Sequence, residues 1–202
     1  MGADLDCKLS LLIVENPARV LGPDRLGEWS GNGNDPRIWR VVNVNRLPLS
    51  RLANQYLRIT DSPVFGLCHA DCTFGPGSLE HFSRVAMEGA VCGIVGIDLK
   101  RQYRWCREQR IGHPAMVSTL DCCSVFFRRD SGLEFDERLD GFHAHVEDLC
   151  LQARAHGIPV VVPYANAGHS ERSGGDARWF ADCLRYRAQV RAKWPGVRVE
   201  MT

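Results

Sequence analysis

Hydrophobic residues fall in short continuous runs rather than in strict alternation. The runs lie at 9–14, 64–68, 91–97, 124–127 and 158–162, the last bounded by Gly157 and Pro163. Continuous apolar runs of this length are the pattern of strands covered on both faces. A further strand is predicted over 37–44. Between them the apolar period changes to that of a helix. Leu49, Leu52, Ala53, Tyr56 and Leu57 share one face of a helix predicted over 48–59, with Pro48 in its first turn. Leu79, Phe82, Val85 and Ala86 share a face over 77–89, where Gly89 suits the helix end. Helices over 146–155, closed by Gly157, and over 176–193, ended by Pro195-Gly196, complete the set. Residues 27–36, rich in Gly and Asn, read as loop, and the charged stretch 98–114 shows no clear period.

Strands alternating with helices predict an α/β sandwich with a mainly parallel central sheet. No internal repeat, low-complexity tract or linker interrupts 1–202, so a single domain is expected. Apolar residues make up 45% and charged residues 24% of 202, the balance of a folded globular chain. A formal net charge of +1 gives no electrostatic case for a nucleic-acid partner. No apolar run approaches the ~20 residues of a transmembrane helix. The start, Met1-Gly2-Ala3-Asp4, lacks the basic region of a secretion signal, so a cytoplasmic location is expected.

The 9 cysteines are odd in number and several lie inside apolar runs, which favours reduced buried thiols over a disulfide scaffold. Neither Cys68/Cys72 nor Cys122/Cys123 has the Cys-x-x-Cys spacing of structural zinc, and buried thiols are the preferred reading.

Candidate chemistry begins where the apolar run 64–68 stops on His69-Ala70-Asp71. The side-chain period of a strand is two, so His69 and Asp71 are expected on one face, outside the carboxyl end of a strand. Further candidates are Asp121, the acidic Phe135-Asp136-Glu137, the group His143, His145, Glu147 and Asp148, and His169 after the run 158–162. Local readings compete with each. Asp71 suits an Asx turn into Thr73, and Asp148 suits a carboxylate in a helix's first turn.

From about residue 43 to 170 the ordered set of segments resembles the GT-A-fold nucleotide-sugar glycosyltransferases, in particular their family-2-like group. The stretches that carry the resemblance are Leu52-Ala53-Asn54, Leu67-Cys68-His69-Ala70-Asp71, Phe135-Asp136-Glu137 with Gly141-Phe142-His143, Asp148-Leu149-Cys150, and His169. The resemblance implies a GT-A-like, Rossmann-like sandwich and transfer of a sugar from a nucleotide-diphosphate donor to an acceptor hydroxyl, with inversion. It implies a divalent cation held by Asp71, with His69 and His169 as further ligands. Mixed oxygen and imidazole ligands favour Mn2+ over Mg2+. Asn54, His69, Asp121 and His143 would line the substrate cleft, and Asp148, Glu147, His145 and Asp121 would carry catalysis. The acceptor is a saccharide, a lipid-linked group or a protein.

One departure bears on turnover. Aligning the family's acidic pattern on Asp148-Leu149 puts His145 and Val146 where its first acidic pair belongs, so the expected base is a valine. His145 or Glu147 would have to replace it. The rival expectations are a catalytically degenerate binding or scaffold protein and a metal-dependent phosphohydrolase using the same cleft.

Overall fold

The computed structural model describes residues 9–15, 38–42, 47–139, 144–169 and 177–197. In chain order these form β1 (Leu9–Glu15), β2 (Ile38–Val42), α1 (Leu49–Ile59), β3 (Val64–His69), β4 (Cys72–Phe74), α2 (Ser78–Met87), β5 (Val91–Cys92), β6 (Val95–Ile97) and β7 (Tyr103–Trp105). They continue with β8 (Ala115–Met116), β9 (Thr119–Leu120), β10 (Ser124–Arg128), α3 (His145–Ala155), β11 (Val160–Val162), β12 (Ala167–His169) and α4 (Ala177–Lys193).

Seven strands make the main sheet in the order β2-β1-β3-β10-β5-β11-β8. Parallel pairings join β1 to β2, β1 to β3 and β11 to β5, whereas β10 and β8 pair antiparallel with their neighbours. Five strands therefore share one direction, and the sheet is mainly parallel. The antiparallel β10 has a functional consequence. Its amino end, Ser124, lies opposite Cys68 near the carboxyl end of β3, so residues 121–123 arrive at the same edge as His69.

Both faces of the sheet are covered, as the continuous apolar runs predict. Phe126 stacks on Phe82 of α2 with ring centroids 4.8 Å apart, and Phe74 meets both rings edge-on. The next residue, Phe127, turns to the opposite face and packs edge-on against Phe65 and Phe135. Gly66 leaves room for Phe126 and Leu11, because a Cβ there would stand 2.7 Å from the Phe126 ring and 2.9 Å from the Leu11 side chain. The one polar residue inside the first run, Ser10, is buried but satisfied: Thr60 Oγ1 donates to its oxygen at 2.5 Å, and its hydroxyl donates to Ser62 Oγ at 2.8 Å.

The single strand expected over 91–97 is two strands in different sheets. β5 belongs to the main sheet, and β6 joins β7 and β9 in a three-stranded one. The break sits at Gly93, where a Cβ would come within 2.6 Å of the Ser124 carbonyl, and Ser124 Oγ accepts from Ile94 N at 2.9 Å. Hydrophobicity alone does not register such a bend, because both halves are buried. The charged stretch 98–114 also contains structure. Asp98 accepts from the backbone N–H groups of Lys100 and Gln102 and pairs with Arg104, closing the hairpin from β6 to β7.

Candidate functional site

β3 ends at His69, Ala70 and Asp71 form a turn, and the chain reverses into β4. Asp71 is thus on a turn rather than on an extended strand, yet it remains beside His69. β12 pairs antiparallel with β4, setting His169 opposite Cys72. That pairing is fixed from several sides. Gly75 N and Ser78 Oγ both donate to Asn166 O, and Cys106 Sγ donates to Ala167 O. His169 Nε2 consequently lies 3.1 Å from Asp71 Oδ1, and the rings of His69 and His169 are 5.8 Å apart.

Ligand atoms of His69, Asp71 and His169 all lie within 4.8 Å of one another. Burial raises the Asp71 pKa, but the hydrogen bond and charge of His169 and the charge of His69 outweigh it and hold the carboxyl below its ordinary value. One carboxylate and two imidazoles, half-buried at the carboxyl edge of the sheet, suit a divalent cation of intermediate softness. The donor set therefore fits the cation that the sequence implies.

Asp121 comes to the same edge. Its Oδ1 accepts from Cys123 N at 2.8 Å, and Cys123 O in turn accepts from His69 N at 2.8 Å. Asp121, Cys123 and His169 form a second group whose ligand atoms lie within 4.8 Å of one another. Behind it is a buried thiol cluster. Cys72 Sγ donates to Cys123 O at 3.2 Å; burial pushes the Cys72 and Cys68 thiols up, and interaction with Cys72, then burial, does the same to Cys123. Cys123 was not among the site candidates in the sequence. Its signal was Asp121-Cys122-Cys123, two ligand types at spacing two before a strand, hidden by the apolar context that marks a core thiol.

The remaining candidates stand elsewhere. His145, Glu147 and Asp148 occupy the first turn of α3, after Ala144 adopts a left-handed φ of 69°. All three are buried, as is Val146. Asp148 Oδ1 accepts from Trp194 Nε1 at 2.7 Å, and Oδ2 accepts from Lys193 Nζ at 2.8 Å and Gln152 Nε2 at 2.9 Å. The end of α4 thus closes over this carboxylate. Asn54 is buried on α1. Its Nδ2 donates to Phe135 O at 2.8 Å and its Oδ1 accepts from Phe135 N at 3.0 Å, strapping that loop to the helix. His143 lies outside the described residues.

Among solved structures, two illustrate the likeness of the fold. GalNAc-T7, a GT-A glycosyltransferase whose crystal contains UDP, GalNAc and Mn2+, superposes with a TM-score of 0.59 at 12% identity, over 92% of this chain and 48% of its own. The fold is GT-A-like. A197 from STIV superposes with a TM-score of 0.50 at 12% identity, over 79% of this chain and 85% of its own. The chain thus spans about half the length of GalNAc-T7. No protein-family model and no curated protein matches the sequence. Among the described residues no helix is long and apolar enough to cross a membrane.

Proposed function

We propose that the protein is a metal-dependent glycosyltransferase that takes a nucleotide-diphosphate sugar. The observation that carries this reading is the convergence of His69, Asp71 and His169 at the carboxyl edge of a GT-A-like sheet. His69, Asp71 and His169 would hold a divalent cation, Mn2+ in preference to Mg2+, which would supply Lewis-acid stabilisation of the charge on the departing nucleoside diphosphate. Asp71 is the anionic ligand, and the two neutral imidazoles leave the loaded site with net positive charge, which attracts the diphosphate.

An inverting transfer needs a group to accept the proton of the attacking hydroxyl. Asp148 is poorly placed for it, because both oxygens are engaged by Lys193, Gln152 and Trp194 and the side chain is fully buried. Asp121 is half-buried and borders His169, and we assign it that role. The acceptor is a saccharide, lipid-linked or protein hydroxyl. Incubation with Mn2+, a panel of UDP- and GDP-sugars and mixed glycan acceptors tests the reading. Transfer is expected from at least one donor, and Asp71→Ala should abolish it; equal transfer by the variant contradicts the assignment.

One observation favours a second reading, a nucleotide-binding protein without turnover. Val146, which the resemblance aligns with an acidic residue, is buried, and Asp148 is closed off beneath α4. Nucleotide binding with neither transfer nor hydrolysis across the panel would select it.

A further inference from the structure

The cluster at the sheet edge contains more ligands than a single oxygen-and-imidazole site requires. Asp121, Cys123 and His169 each contribute one donor atom to a group confined within 4.8 Å. From this geometry we propose that these three residues bind a thiophilic divalent cation of the Zn2+ class, at a site distinct from the His69–Asp71 pair but sharing His169. It rests on the proposed metal-dependent reading only through that shared imidazole.

Three arguments support it. First, a thiolate sulfur selects zinc-class cations over Mn2+ and Mg2+, which prefer oxygen. Second, zinc bonds of about 2.0–2.3 Å place tetrahedral ligands on the order of 3.5 Å apart, so a group within 4.8 Å closes by small side-chain rotations. Cys123 directly precedes β10, which is hydrogen-bonded to strands on both sides, and its N–H is bonded to Asp121 Oδ1. The backbone therefore presents two of the three ligands together before any cation arrives.

The third argument is charge. A dication on Asp71, His69 and His169 retains one net positive charge and remains attractive to a diphosphate. On Asp121, the Cys123 thiolate and His169 the charges cancel. As the sulfur–metal bond forms, the Cys123 thiol proton passes to the buffer, and no oxidant or reductant is needed. Three protein ligands leave one position for water. A zinc-class cation here also occupies the Asp121 carboxylate and engages His169, so it should suppress Mn2+-supported nucleotide binding rather than replace it.

Co2+ is the probe, because thiolate ligation gives it a charge-transfer band in the near ultraviolet that oxygen and nitrogen ligands do not. The wild-type protein titrated with Co2+ should develop this band, lose it on addition of Zn2+, and keep it in excess Mg2+. Cys123→Ser, checked for cooperative unfolding, should lose the band. Asp121→Asn should keep the band but weaken Co2+ binding by at least about tenfold, the low end of what the loss of even an outer-shell partner costs. A wild-type Co2+ complex without the band, or a band that survives Cys123→Ser, overturns the proposal. Mn2+ binding followed by electron paramagnetic resonance in Asp71→Asn separates the two ideas: loss of the Mn2+ site with retention of the Co2+ band supports both, and retention of the Mn2+ site with the band defeats only the Asp71-centred reading.

Discussion

Trp194 donates its indole N–H to Asp148 Oδ1 at 2.7 Å, across the junction of α4 with the amino end of α3. Lys193 adds a 2.8 Å bond to the same carboxylate and another to Asp136, so one ammonium ties the last helix to two acidic groups. A fully buried carboxylate is tolerable only with such partners. The clamp makes Asp148 a fastening for α4.

Lys193→Met should therefore destabilise the fold. Breaking a fully buried ion pair costs about 3–5 kcal/mol, and because Lys193 is 25% exposed we expect about 2–3 kcal/mol by urea unfolding. Trp194→Phe removes one hydrogen bond to a charged acceptor and should cost about 1.5–3 kcal/mol. Unchanged midpoints in both variants would show that α4 is not fastened here.

Acid should loosen the same junction. Arg138 lowers the Asp136 pKa most; burial opposes it, and Lys193 with the Arg138 backbone N–H adds to the lowering, leaving the carboxyl far below its ordinary value. The unfolded chain titrates near ~3.9. Stability from this group is therefore fully present above that pH and is lost as pH falls toward the depressed folded value. Urea midpoints should drop between about pH 4 and pH 2.5, and Asp136→Asn should reduce that slope. An identical slope in the variant would remove Asp136 from the explanation.

Asn54→Ala should strip both partners from the buried backbone of Phe135. Each unsatisfied buried polar group costs about 1–3 kcal/mol, so a loss of about 2–4 kcal/mol is expected in chemical denaturation. Asn54→Asp keeps the acceptor for Phe135 N but faces Phe135 O with another oxygen, and should rescue only part of the loss.

Gly93→Ala tests the bend between the two sheets. The added methyl would stand 2.6 Å from the Ser124 carbonyl, a backbone atom that cannot rotate away. We expect a loss of about 1–3 kcal/mol, read as a fall in melting temperature. A variant as stable as the parent would mean that the chain shifts there without cost.

Much of this architecture was legible in the sequence because continuous apolar runs report strands buried on both faces. The runs at 64–68 and 124–127 lie within β3 and β10, and helices α1 and α2 follow from the helical spacing of their apolar residues. The two- and three-residue strands β4, β8, β9 and β12 did not, since they lack a period and are formed by pairing across long sequence distances. The same holds for the site. His69 and Asp71 are neighbours in sequence and were visible as a motif; His169 was visible as a candidate after the run 158–162, and the resemblance gave it the part of a further ligand. What the chain could not reveal is that β12 folds back on β4, or that the antiparallel β10 delivers Asp121 and Cys123 to the same edge. The first turn of α3 shows the opposite limit. Its acidic sequence suggests an open site, but the partners that close Asp148 come from α4, far along the chain.

Calorimetric titration of UDP into the protein, with and without Mn2+, tests the central claim most directly. UDP should bind only when Mn2+ is present, and Asp71→Ala should lose that binding while unfolding as cooperatively as the parent. Equal UDP affinity in the absence of Mn2+, or undiminished Mn2+-dependent binding in Asp71→Ala, would contradict a nucleotide site built on His69, Asp71 and His169.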